Sequence, residues 1–226
     1  MNYKFSSDLI YTSRKTKADY IFDKYRDILV ESVIDVGADQ MYLKEKILRN
    51  GTNYVGVGRG ELFDINVDLE KSKIPVKDKS FKTVVCFDVL EHIDNIHELF
   101  DELTRISNEY IIISLPNPWG DFFYTLLTSD YSDDESIKFY GLPTTIPSDR
   151  HRWFFNNNDS LKFITTNAEK NNFELIHTDY SNKNKPIGGK TVKGFFSRLL
   201  LRLIFRKDIL DLELNSGARW FVLRRK

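Results

Sequence analysis

Residues 83–87, Thr-Val-Val-Cys-Phe, form an unbroken apolar or β-branched run that stops at Asp88 and gives way within a few residues to a helical pattern. A strand without polar alternation is one covered on both faces, as in a parallel sheet. Asn95 and Glu98 have the spacing of a capping box, and Ile96, Leu99, Phe100, Leu103 and Ile106 then fall on one face of a helix. Residues 109–115 read as a second buried strand, so this stretch is a βαβ unit and the sheet is largely parallel. An acidic residue at the C-terminal edge of such a strand points to a cofactor site.

The rest of the chain extends this α/β pattern over a single expected domain, 1–226. Ala18, Ile21, Phe22, Tyr25, Ile28 and Leu29 predict an amphipathic helix over about 16–30 that lies on the sheet. Residues 32–37 read as a buried strand ending in a turn. Leu43, Ile47 and Leu48 continue as one helix face until Asn50-Gly51. Strands follow at 53–57 and, briefly, within 63–69, and 71–80 is a polar connection. Gly56-Val57-Gly58-Arg59-Gly60 imitates a dinucleotide-binding turn, but the residues after it look extended. It is therefore read as a loop, and a nicotinamide-dependent oxidoreductase is disfavoured because the expected phosphate-binding turn and helix are absent after the first strand. Residues 116–155 carry four prolines and no clean period, the pattern of an insertion capping the strand ends. Asp159 is the expected cap of a helix bearing Leu161, Ile164 and Ala168; a strand at 173–177, a polar loop at 181–194, a helix around 195–205 and a strand at 218–223 complete the chain.

Charge bounds the partners. Thirty-three basic and 33 acidic residues cancel, so no overall field recruits nucleic acid, and such a substrate is disfavoured. The single cysteine, Cys86, excludes a disulfide framework and suggests the cytoplasm. No stretch reaches the roughly 18 apolar residues of a membrane span. Between Lys190 and Lys207, however, six basic residues occur without an acid, with Arg198, Arg202 and Arg206 spaced as a stripe. The basic amphipathic helix at about 191–206 is either buried or lies at the inner face of a membrane, with 195–206 making the contact. The oligomeric state is left open.

The order of these elements, with Val33-Ile34-Asp35-Val36-Gly37 first and Ile74-Pro75, Asp78, Ser80-Phe81 and Phe87-Asp88-Val89-Leu90-Glu91-His92 later, resembles class I S-adenosylmethionine-dependent methyltransferases of the small-molecule branch. The resemblance implies a Rossmann-like fold, a mostly parallel seven-stranded sheet with helices on both faces and a cap after the fifth strand. It implies S-adenosylmethionine as cofactor. Asp35 and Gly37 match the first motif, with Ala38 beside them; Gly58 stands at the end of the second strand; Asp68, with Leu69, matches the acid placed near the adenine amino group; Phe87 and Asp88 match the end of the fourth strand. Two positions depart from the pattern. The glycine-rich turn would carry further glycines near Asp39 and Met41, and the acid that grips the ribose hydroxyls is replaced by Gly58, with Glu61 and Asp64 as stand-ins if the loop folds back.

Among acceptor-side candidates, Ser148-Asp149-Arg150-His151-Arg152-Trp153 concentrates charge and aromatics in a loop. His151 is either the substrate contact and candidate base for a hydroxyl acceptor or part of a lid; Arg150 and Arg152 suggest an anionic substrate group, and Trp153 adjoins them. His92 is the second candidate catalytic residue, with capping the next helix as its other reading, in common with Glu91. Asn117 and Trp119 are candidates to line the same pocket, or simply make a proline-built turn. His97 and His177 have no partner at metal-ligand spacing, so no metal is expected. The leading reading is methyl transfer to a small polar acceptor, such as a sugar or lipid-linked saccharide. The alternative is a catalytically inactive methyltransferase-like binding or scaffolding module.

Overall fold

The computed structural model describes residues 4–120, 122–123, 150–182, 192–204 and 216–226. Most of the expected cap, including residues 124–149, lies outside them, as do residues 183–191 and Arg206.

Helix α1 (Arg14–Tyr25) starts where the Ser13 hydroxyl accepts from the Thr16 amide and Thr16 reaches back, a capping box. Strand β1 (Ser32–Val36) follows, then α2 (Lys44–Arg49), β2 (Asn53–Gly58) and a short β3 (Ile65–Asn66). Strand β4 (Phe81–Phe87) ends in a 3-10 turn (Leu90–His92), and α3 (Ile96–Ile106) leads into β5 (Ser107–Leu115). Helix α4 (Asn157–Lys170), β6 (Phe173–Asn182), α5 (Val192–Ile204) and β7 (Ser216–Arg225) complete the described elements.

The strands make one seven-stranded sheet in the order β3-β2-β1-β4-β5-β7-β6. Neighbours from β3 to β5 run parallel, while β7 enters antiparallel between β5 and β6. The mostly parallel α/β sheet expected from the βαβ pattern is therefore borne out. Side chains alternate strictly between two apolar layers. Ile34, Val36, Val84, Cys86, Ile111, Ile113, Phe221 and Leu223 pack with α3 and α4, and Val33, Val85, Tyr110, Ile112, Trp220 and Val222 pack with α1 and α2. The chain leaves β1 for one edge and returns at β4 for the other, so the crevice between them opens at the C-terminal strand ends, where open α/β sheets bind ligands.

Two expected caps are corrected. Asn95 makes no side-chain cap bond, because the preceding 3-10 turn delivers it at φ −87°, ψ 55°, not the extended geometry a cap needs. At α4 the extended residue is Asn156, whose side chain accepts from the Asp159 amide, so Asp159 sits inside the first turn. Helix α1 also ends at Tyr25, short of the expected 30, although Ile28 and Leu29 remain fully buried.

Candidate active site

A cleft of about 890 Å³ opens at the C-terminal ends of β1, β2 and β4, lined among others by Asp35, Gly37, Ala38, Gly58, Asp68, Leu69, Phe87 and Asp88. One wall is the turn after β1. Gly37 and Ala38 both donate backbone N–H bonds to the Val57 carbonyl, at 2.9 and 3.1 Å, and Gly37 has φ 78°. Asp39 and Met41, where the related pattern would carry glycine, also stand at positive φ, 46° and 52°. The turn thus keeps glycine-like backbone conformations with side chains in place, at a cost of about 1 kcal/mol each. Met41 recovers part of this by packing beneath Gly56, whereas Asp39 gains only an exposed pair with Arg14 at 2.8 Å. Asp39→Gly is expected to leave stability unchanged or raise it by up to about 1 kcal/mol in chemical denaturation.

Asp35 is buried at the base of this wall and accepts from the Tyr54 hydroxyl at 2.8 Å. Burial pushes its carboxyl up to about 6, against the pull of Tyr54 and Lys17, with Asp39 adding to the rise. Opposite, Asp88 leaves β4 at φ 53° and takes Lys17 Nζ at 2.6 Å and Ser114 Oγ at 2.6 Å. Burial disfavours the Asp88 carboxylate, but Lys17 and the Ser114 hydrogen bond outweigh it and hold its pKa below the ordinary value. Lys17 itself lies over the Trp220 and Phe87 rings, 5.2 and 5.8 Å from their centroids. Burial works against its charge as well, yet Asp88 raises its pKa above the usual lysine value.

The 3-10 turn and the segment that crosses it add Glu91, His92, His151 and Arg152 to the lining. Glu91 is fully buried and His151 nearly so, and the His92 and His151 rings meet edge to face at 4.5 Å. Arg152 and Trp153 donate backbone N–H bonds to the Glu91 carbonyl at 2.7 and 3.2 Å, which fastens residues 151–153 over the turn.

The likeness to known proteins agrees with this geometry. A family model described as a methyltransferase domain matches residues 13–178. The chain belongs to the methyltransferase domain family. Among solved structures, a SAM dependent methyltransferase from Archaeoglobus fulgidus has a TM-score of 0.60 at 19% identity, with 95% of each chain covered. Magnesium protoporphyrin IX methyltransferase from Synechocystis, solved with bound SAH, gives 0.57 at 14% identity over 94% of this chain and 83% of that one. The [4+2]-cyclase SpnF gives 0.53 at 11% identity over 93% and 81%. At these identities the structures speak for the fold. No match was found among curated proteins.

In this methyltransferase the eight residues assigned to the cofactor all border one cleft, and His92, His151 and Arg152 border it too. The other acceptor-side candidates stand apart from its lining. The Asn117 side chain accepts from the Trp119 amide at 3.2 Å, which is the turn reading, and Trp119 is exposed beside Phe122. Trp153 donates from Nε1 to the Ile93 carbonyl at 2.7 Å, and Arg150 is exposed with its carbonyl oxygen 3.4 Å from His92 Nδ1. Arg152 is engaged by Asp94 at 3.1 Å and Glu70 at 3.6 Å, so its charge is shared with acids. Glu61 and Asp64, the stand-ins for the ribose acid, lie outside the cleft lining. Asp64 turns away to the Gly56 amide and Lys44. Arg59 occupies that end instead, 3.3 Å from Asp68, and phenyl carbons of Phe63 fill the space that a Cβ at Gly58 would need. Lys17, Tyr54 and Arg59 were missed by the motif reading.

Proposed function

We infer that this protein transfers a methyl group from S-adenosylmethionine to a small polar acceptor of the sugar or lipid-linked saccharide class. The observation that carries the reading is the convergence of Asp35, Gly37, Asp68 and Asp88 on one cleft that is also lined by Glu91, His92 and His151. The residues fit the cofactor: the turn after β1 borders the cleft with its backbone, Asp35 offers a buried carboxylate to a cationic group, and Asp68 and Leu69 line the same cleft. When bound, that cofactor supplies a methyl already activated on a sulfonium centre. The chain's task is then alignment, and holding the two reactants together supplies roughly 7 to 11 kcal/mol of barrier reduction. His151, buried beside Glu91 and His92, is the candidate group to take a hydroxyl proton.

Asp35 gives the binding a pH signature. A cationic ligand takes the carboxylate form, so affinity for S-adenosylmethionine is expected to rise as pH passes upward through about 6 and to level off above it. At pH 5 only about one Asp35 in ten is ionised, and binding is about tenfold weaker than at pH 7. Calorimetry across pH 5–8 reads this, and Asp35→Asn flattens the profile.

Helix α5 favours a location for the acceptor. Phe196, Leu199, Leu200, Leu203 and Ile204 are all exposed, Leu203 at 80%, and the surrounding sequence is basic without an acid. Among the described residues no helix is long and apolar enough to cross a membrane. A short helix with large exposed aliphatics and arginine lies in the plane of an anionic bilayer. Flotation with phosphatidylglycerol-containing vesicles is expected to carry the protein, and Leu199→Glu with Leu203→Glu to release it; unchanged flotation of the double variant would remove this location. Methyl transfer itself is tested by incubating the protein with methyl-labelled S-adenosylmethionine and fractions of soluble and lipid-linked saccharides. Label in a saccharide fraction supports the reading, and label confined to the cofactor across all fractions counts against this acceptor class.

A further inference from the structure

Glu91, His92 and His151 each offer a ligand atom within 4.8 Å of the other two. Atoms bound at 2.0–2.2 Å to a first-row divalent ion lie about 3–4 Å apart. Glu91 Oε1 and His92 Nε2, at 3.8 Å, already have that spacing, and the widest pair has to close by about 1 Å. We propose that these three side chains form a binding site for a divalent first-row ion such as Zn²⁺ or Mn²⁺.

The surroundings are built to hold the donors. Residues 91–93 and 150–153 are joined by backbone bonds from Arg152 and Trp153 to the Glu91 carbonyl, by Arg152 Nε to the His92 carbonyl at 3.0 Å and by Trp153 Nε1 to the Ile93 carbonyl at 2.7 Å. The segment carrying His151 is thereby fixed against the turn carrying the other two ligands. His92 Nδ1 lies 3.4 Å from the Arg150 carbonyl oxygen. With its proton directed there, the lone pair of Nε2 faces Glu91, the outer arrangement that orients metal-bound imidazoles. Two imidazoles and one carboxylate suit borderline first-row ions better than Mg²⁺ or Ca²⁺, which prefer all-oxygen sets. All three residues border the cleft, so an ion held by them would adjoin the space open to an acceptor and could polarise its oxygen. That use of the ion rests on the methyl-transfer reading; the binding of the ion does not.

The experiment is calorimetric titration of chelator-stripped full-length protein with zinc chloride and manganese chloride, together with Co²⁺ absorption spectra. About one equivalent is expected to bind, with the Co²⁺ ligand-field bands of nitrogen and oxygen donors. His151→Ala and His92→Ala should weaken binding at least a hundredfold and the near-isosteric Glu91→Gln at least tenfold. His97→Ala and His177→Ala, which remove the two histidines outside the cluster, should change nothing. A parallel titration of each variant with S-adenosylhomocysteine reports the cofactor site separately, and the Glu91→Gln result decides if a histidine variant fails to fold. No saturable binding by the native protein, or binding unaltered in Glu91→Gln and His151→Ala, overturns the site, and neither result bears on cofactor binding.

Discussion

Gly37→Ala is expected to lower stability by about 2 to 4 kcal/mol and to abolish measurable binding of S-adenosylhomocysteine. Two costs add. The residue stands at φ 78°, where a Cβ costs about 1 kcal/mol or more. That Cβ would also meet Val89 Cγ2 at 2.3 Å, and such an overlap in a packed turn typically costs 1 to 3 kcal/mol. The backbone cannot easily step aside, because Gly37 and Ala38 N–H both bond to the Val57 carbonyl. Adding Val89→Ala removes the closest contacts and leaves the Val89 Cβ at 3.3 Å. The double variant should therefore recover the steric part and keep the conformational part. Urea denaturation of the four proteins reads this cycle, and a Gly37→Ala protein as stable as the native one would show that the turn does not have this conformation.

The second large effect belongs to Asp88. Asp88→Asn keeps a side chain tolerated at φ 53° while removing the charge, so it isolates electrostatics from backbone strain. Lys17, only 14% exposed, is then left with Ser114 Oγ at 3.4 Å and two aromatic rings. Removing one partner of a fully buried pair costs about 3 to 5 kcal/mol. Asp88 is 38% exposed toward the cleft, so water screens the pair and about 1 to 3 kcal/mol is the expected loss. Lys17→Met in the Asp88→Asn background should return most of it. The pH sign follows from the lowered Asp88 pKa: its contribution is complete above the ordinary carboxylate value and fades as pH falls through the lower folded value. Acid unfolding of the native protein should accordingly be steeper below pH 4 than that of Asp88→Asn.

The sequence carried the sheet because burial on both faces leaves an uninterrupted apolar record, as in residues 83–87 and 110–115. It carried the placement of Asp35, Gly37 and Asp88 beside one cleft because they sit at strand ends, where local sequence determines position. It did not carry Lys17 or Lys24. Both fall on the buried face of α1, but a period counted over apolar residues treats lysines as solvated, and only the partners Asp88 and Asp179, distant in sequence, make their burial tolerable. The closeness of Glu91 and His151 was equally hidden, since 60 residues separate them and backbone bonds formed only in the folded state bring them together. The glycine-poor turn looked damaged as a string of letters. Its dihedral angles show that Asp39 and Met41 adopt the conformations glycine would have taken.

The most direct measurement is calorimetric titration of the purified protein with S-adenosylmethionine and S-adenosylhomocysteine, with Asp35→Ala and Asp68→Ala alongside. Micromolar binding, about −8 kcal/mol, that both substitutions weaken is the predicted result. Failure of the correctly folded native protein to bind either compound would contradict the central claim and leave a methyltransferase fold used as a binding module.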